Sequence, residues 1–85
     1  MIELRKWNYE TKVYDKVKFD DDLVFVLFTR NMELEVNCPH CLKKMKYGSS
    51  FTSLEFHNAY GLGYPVCAKC YYEEWDRRRK YREDL

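Results

Sequence analysis

Four cysteines carry the clearest chemistry in this 85-residue chain. They fall in two close pairs, Cys38-Pro39-His40-Cys41 and Cys67-Ala68-Lys69-Cys70, with 25 residues between the pairs. Two residues between cysteines let a tight turn aim both sulfurs at one ion about 2.3 Å away, and two such turns complete a tetrahedron. A tetrahedron filled by protein ligands leaves no position for water or substrate, which marks a structural site. The spacing therefore points to one structural Zn²⁺ held by Cys38, Cys41, Cys67 and Cys70. The stretch between the pairs exceeds the roughly 15–20 residues usual for this pattern, and an added hairpin accommodates the excess.

Other chemistry is thinner. Cys-Pro-His-Cys also resembles the active site of thioredoxin-like disulfide oxidoreductases, where a helix N-terminus depresses the pKa of the first thiol. Here Gly48 follows Cys41 too soon for the long helix such a fold needs, and a second cysteine pair has no place in it. His57-Asn58 raises the alternative of a treble-clef nuclease, which resembles a hairpin and helix holding a catalytic metal, usually with a histidine on the helix. The segment after Cys70 contains no histidine, and His40 and His57 alone cannot supply both a base and ligands. His57 is expected at the surface or a strand end. His40 is expected as a spacer able to donate a hydrogen bond to a thiolate. No catalytic residue is assigned, and the expected activity is non-enzymatic.

The elements that must position the cysteines are legible in outline. Ile2, Leu4 and Lys6 alternate with Glu3, Arg5 and Trp7, a turn follows at residues 8–11, and Val13, Asp15, Val17 and Phe19 repeat at a period of two. Asp15 interrupts that apolar face. Residues 20–22 are three aspartates and form a charged turn. Residues 23–28, all β-branched, aromatic or leucine, form the strongest strand candidate. Met32, Leu34 and Val36 again alternate. Connections this short dictate mostly antiparallel pairing. Beyond the first cysteine pair, residues 51–56 suit a strand and residues 58–63 a loop, with Gly48-Ser49-Ser50 as a turn. No Gly, Pro or β-branched residue interrupts residues 71–85, so a helix is expected from about Ala68 onward.

With the elements in place, Cys38-Pro39-His40-Cys41 as a first knuckle, a hairpin-like middle and Cys67-Ala68-Lys69-Cys70 running into a helix resemble the treble-clef and zinc-ribbon group of zinc fingers. In a treble clef the second pair lies at the helix N-terminus, whose dipole favours thiolates. The long helix favours treble clef over ribbon. The resemblance spans about residues 36–80 and implies a metal and a local fold, while that group serves many unrelated tasks. The fold class expected is therefore a small α+β metal-bound domain. Its single unit would run over residues 1–85, with a β-rich segment at 1–36 and the four-cysteine zinc module with its C-terminal helix at 37–85.

Two sets of side chains are candidates for partner binding. Lys43, Lys44 and Lys46 form a basic patch beside the first knuckle. Tyr71, Trp75, Arg78, Arg79 and Arg82 share a face of the helix, with Tyr71 and Trp75 expected to pack onto the metal hairpin. Basic residues of this helix have acids four positions before them, in the pairs Glu73 with Arg77, Glu74 with Arg78 and Asp76 with Lys80, the favourable order. A solvated, self-paired helix surface is the plain expectation. Aromatics mixed with Arg and Lys suit protein hot spots and equally suit phosphate and base contacts.

Composition sets outer limits. The formal charge is +1, and four thiolates on a dication would bring the loaded protein to neutral or slightly acidic. A general nucleic-acid-binding charge is thus absent, and DNA or RNA binding would need a local patch. A protein partner is the first expectation, nucleic acid the second, and a homodimer through an exposed strand edge a further alternative. No apolar run is long enough to span a membrane, and paired cysteines without a secretion signal suit a cytoplasmic metal site. At the N-terminus, Arg5-Lys6-Trp7-Asn8 followed by Lys12-Val13-Tyr14 resembles the opening of small YopX-type phage proteins, with Asn8 where those carry Asp. That resemblance implies a phage or prophage accessory protein acting in a host cytoplasm and implies no activity.

Overall fold

The structure, a computed structural model, describes residues 1–83, with the backbone alone for residues 81–83. Alternating side chains at the N-terminus form β1, Ile2–Asn8, which turns back into β2, Val13–Phe19. The two pair antiparallel along their full length, from Ile2 opposite Phe19 to Asn8 opposite Val13. Asn8 builds the turn, because its Oδ1 accepts the N–H groups of Glu10 and Thr11 at 2.9 and 3.2 Å. Such local side-chain bonds are why Asn favours turns. Lys12 closes the loop in the left-handed region, at φ 58°.

The segment at residues 23–28 forms no strand, contrary to the sequence expectation. It runs as an irregular strap in which Leu23, Phe25, Val26 and Leu27 are half-buried. Phe25 packs on Phe19 at 5.2 Å between ring centroids, whereas Val24 and Phe28 are exposed. The Val24 carbonyl accepts the Asn37 N–H at 2.8 Å and the Leu27 carbonyl accepts the Tyr47 hydroxyl at 3.5 Å, isolated clips in place of a ladder. β-Branched and aromatic composition reports fitness for a half-buried surface, and this strap finds that surface without a neighbouring strand. Likewise the alternation of Met32, Leu34 and Val36 yields strand only at β3, Glu35–Asn37, which pairs antiparallel with β4, Lys44–Lys46. A 3₁₀ turn at Tyr47–Ser49 follows.

β5, Phe51–His57, and β6, Gly63–Val66, form a second long hairpin, and β6 is a strand the sequence did not announce. Pro65 interrupts its alternation, and proline is tolerated there because β6 lies at a sheet edge. The main sheet has the order β2-β1-β5-β6, all antiparallel, so strands from both halves of the chain share it. The chain then enters α1, Ala68–Glu83.

The β5–β6 ladder is irregular. Phe51 lies opposite Val66 and Thr52 opposite Pro65, but the pairing resumes only at His57 opposite Gly63. In the interval the β5 backbone bends toward α1, and helix side chains take over its hydrogen bonds. Glu74, 3% exposed, accepts from Leu54 N–H at 2.5 Å, Glu55 N–H at 3.0 Å and the Ser53 hydroxyl at 2.9 Å. Ser53 Oγ in turn accepts from the N–H groups of Glu55 and Phe56. Buried backbone donors that lose their sheet partners must find others, and one carboxylate with one hydroxyl serves three consecutive amides here.

The core is small. Its buried hydrophobic residues are Leu4, Val36, Cys38, Phe56, Val66, Cys67 and Cys70 among the described residues. Three of the seven are cysteines, and these pack with Val66 into one cluster, with Met45 and Tyr71 against it. Domains of this size gain little from hydrophobic burial alone.

Candidate metal centre

Each cysteine pair is positioned by a different local device. Cys38 follows the short β3, and the chain turns so that Leu42 N–H donates to the Cys38 carbonyl at 2.7 Å and Cys38 N–H to the Lys43 carbonyl at 2.9 Å. This knuckle brings Cys41 back beside Cys38. It holds Leu42 at φ 63°, a left-handed conformation that leucine adopts at a cost of roughly 1–2 kcal/mol. Cys67 stands immediately before α1, where its carbonyl accepts the Tyr71 N–H at 2.9 Å, and Cys70 lies one turn on. The hairpin β5–β6 supplies the length between the pairs that the spacing alone required.

The four sulfurs lie within 4.8 Å of one another. A tetrahedral ion with metal–sulfur bonds of about 2.3 Å needs sulfurs about 3.8 Å apart. Cys41 Sγ and Cys67 Sγ are already 3.7 Å apart, across the two pairs. Cys38, Cys67 and Cys70 are buried and Cys41 is exposed. Geometry and donor chemistry both fit a divalent metal.

Electrostatics point the same way. Burial raises the thiol pKa values of Cys38 and Cys70 above their ordinary range. At Cys67 burial also pushes upward, but the backbone N–H of Cys70 and bonds from the neighbouring thiols outweigh it, and its pKa falls. The helix N-terminus thus stabilises one thiolate, while its neighbours resist ionising beside it. A central dication is the group that reconciles four adjacent thiolates. His40, between the first two cysteines, places Nδ1 3.6 Å from Cys70 Sγ. Burial, then the charges of Arg77 and Lys6, lower its pKa, which favours the neutral ring. Its N–H is then available to a sulfur as an outer hydrogen bond of the kind that orients metal ligands.

His57 ends β5 as a strand-end residue, but it is buried rather than at the surface. Its Nδ1 lies 2.9 Å from the Asn58 carbonyl, and its ring packs edge-on against Tyr14 with centroids 4.2 Å apart. The structure brings neither histidine into the sulfur cluster as a ligand.

The partner-binding candidates fare differently. Lys43, Lys44 and Lys46 are all exposed. Lys46 pairs with Glu33, and Lys43 lines a groove of about 680 Å³ with Cys41, Lys69 and Glu73 beside the metal centre. Tyr71 packs on the cysteine cluster as expected. Trp75 lies one turn further along α1. It stands 39% exposed, edge-on to Tyr71 at 6.2 Å, with the Arg78 guanidinium 4.9 Å from its ring. Arg79 is exposed, and the side chain of Arg82 lies outside the described residues.

The expected self-pairing along α1 is overturned. Glu74 is turned inward to β5, away from Arg78, and Arg77 forms a bidentate pair with the buried carboxylate of Glu55 instead of Glu73. Helical spacing named the partners available on an isolated helix, and docking on the sheet offered better ones. Glu55 was missed by sequence reasoning. Its only signal was an acid within a strand otherwise rich in aromatic, leucine and hydroxyl residues. A second groove, of about 480 Å³, lies above this pair and is lined by Lys6, Trp7, Tyr9, Asp15 and His40 among others. No helix of the described residues is long and apolar enough to cross a membrane. Comparison with protein-family models, curated proteins and solved structures finds no match, so the function of this chain is read from its own chemistry.

Proposed function

We infer that the protein is a zinc-stabilised, non-enzymatic binding module of the treble-clef type. The observation that carries this reading is the convergence of four sulfurs from a knuckle and a helix N-terminus within 4.8 Å. A knuckle on a short hairpin, a longer hairpin and a helix at the second pair follow one another along the chain, which supports the treble-clef reading. Four protein thiolates complete a tetrahedral coordination shell, which gives the ion a structural role. The ion would tie the first knuckle to the start of α1 while Glu74 and Arg77 hold the helix on β5, and the outward side of that helix is then free to meet a partner.

The test is zinc content by elemental analysis of protein purified under reducing conditions, paired with free-thiol counting. One zinc per chain is expected, with thiols that react only after chelation. Cys70→Ser should lose the metal and most helical circular dichroism, because metal binding supplies much of the folding free energy in such small modules. Metal-free protein with reactive thiols and an unchanged spectrum would sink the reading and return the redox alternative.

A further inference from the structure

The rearrangement of charge on α1 has a result that its sequence hides. At about 100° per residue, Tyr71, Tyr72, Trp75, Arg78 and Arg79 occupy one third of the helix circumference, and no acid falls within that arc. The acid spaced to neutralise Arg78 is Glu74, which is spent on β5 amides. Among the described residues, neither Arg78 nor Arg79 forms an ion pair. The face is therefore cationic, with the acids of the helix lying outside it.

Its aromatic rings are contiguous. Phe51 of β5 lies nearly parallel on Tyr71, with centroids 4.7 Å apart and an interplanar angle of 16°. Tyr72 lies 6.0 Å from Phe51, Trp75 lies 6.2 Å from Tyr71, and Arg78 caps Trp75. Phe51, Tyr72 and Trp75 are 37%, 60% and 39% exposed. None of these rings lines either groove described above.

Resting on the zinc-module reading, we propose that this aromatic–arginine face binds single-stranded nucleic acid. Exposed ring faces stack unpaired bases without regard to sequence, and each guanidinium takes a phosphate. A duplex hides its base faces and would use only the two arginines. An acidic protein segment would satisfy the arginines but leave the rings without stacking partners, whereas an unpaired strand supplies both a phosphate and a base face. With Arg78 and Arg79 as the phosphate contacts, two neutralised charges give a slope of log K against log salt of roughly −1.4 for a single strand.

The experiment uses the zinc-loaded full chain and a fluorescein-labelled thymidine oligonucleotide of about fifteen residues, read by anisotropy at low salt. A uridine oligonucleotide, a duplex of equal length and polyglutamate are the comparisons. Saturable binding to both single strands, weaker binding to the duplex and the shallow salt slope are expected. Tyr72→Ala and Trp75→Ala should each weaken binding about tenfold, and Arg78→Ala should flatten the slope by about half. Lys18→Ala, on β2, should change nothing. Zinc content and circular dichroism of each variant show that the fold persists, and the exposed Tyr72 is the safer of the two ring deletions. No binding by a chain that holds one zinc would overturn this proposal and leave the metal reading standing. Binding indifferent to Tyr72 and Trp75, equal binding to duplex, or full displacement by polyglutamate would each overturn it too.

Discussion

Single atoms decide several features of this molecule, and Gly63 is the sharpest case. A Cβ there would lie 1.9 Å from the Ser53 carbonyl oxygen and 2.8 Å from the Thr52 methyl, so β6 can approach the irregular part of β5 only without a side chain. Gly63→Ala should destabilise the protein by about 3 kcal/mol, the upper range for overpacking, because backbone rather than a flexible side chain must yield. Gly61 has φ 84° and open space around it, so Gly61→Ala should cost only about 1 kcal/mol of backbone strain. Chemical denaturation of the two variants checks the contrast. The sequence marked both glycines as loop formers and offered nothing to separate them, since the close approach exists only after β5 bends. The cysteines were legible for the opposite reason, as spacing and ligand chemistry are local properties.

Helix α1 shows what periodicity can and cannot reveal. Its start near Ala68 and its uninterrupted run followed from composition, and the helix delivers Cys67 and Cys70 as their spacing required. Its charge partners did not follow, because Glu73 and Glu74 are equivalent in sequence and opposite in the fold. Glu73 is exposed, whereas Glu74 holds two amides and a hydroxyl of β5. Glu74→Ala should therefore cost about 3 kcal/mol by leaving buried donors unmatched, and Glu73→Ala within about 0.5 kcal/mol of nothing. Melting curves of the zinc-loaded variants measure both. The strap at residues 23–28 was misread as a strand for a related reason. Its apolar side chains register a demand for burial, and only the tertiary arrangement decides whether a backbone ladder accompanies it.

Across the whole molecule, a buried polar junction joins parts that are distant in sequence. Glu55 of β5 receives Arg77 of α1 and also bonds the hydroxyl of Tyr9, in the β1–β2 turn. Burial, then that bond and the carboxylate's charge, raise the Tyr9 pKa above its ordinary value of 10.0. The folded protein thus retains this proton after the unfolded chain has begun to lose it. The stabilisation is fully present below pH 10.0 and is lost as the pH climbs above it. Denaturant midpoints measured from about pH 8 to about pH 11 should fall more steeply for the wild type than for Tyr9→Phe, which has no phenolic proton to lose. Matching slopes would show that the junction is not coupled to folding. The sheet edges carry their own safeguards: β2 presents Lys16 and Lys18, and β6 contains Pro65. Both devices discourage another strand from adding on.

The antiparallel contact between β1 and β5 joins Arg5 to His57 and Lys6 to Phe56, and the first knuckle lies inside the loop so closed. Loop-closure entropy makes such long-range pairing slow to form. An ion gripping Cys38 and Cys41 first, then Cys67 and Cys70, would draw the two ends of the β5–β6 hairpin together before the N-terminal strands arrive. The metal would then set the order of assembly as well as its final stability: a chain deprived of zinc during synthesis would hold a formed β1–β2 hairpin with no sheet to join.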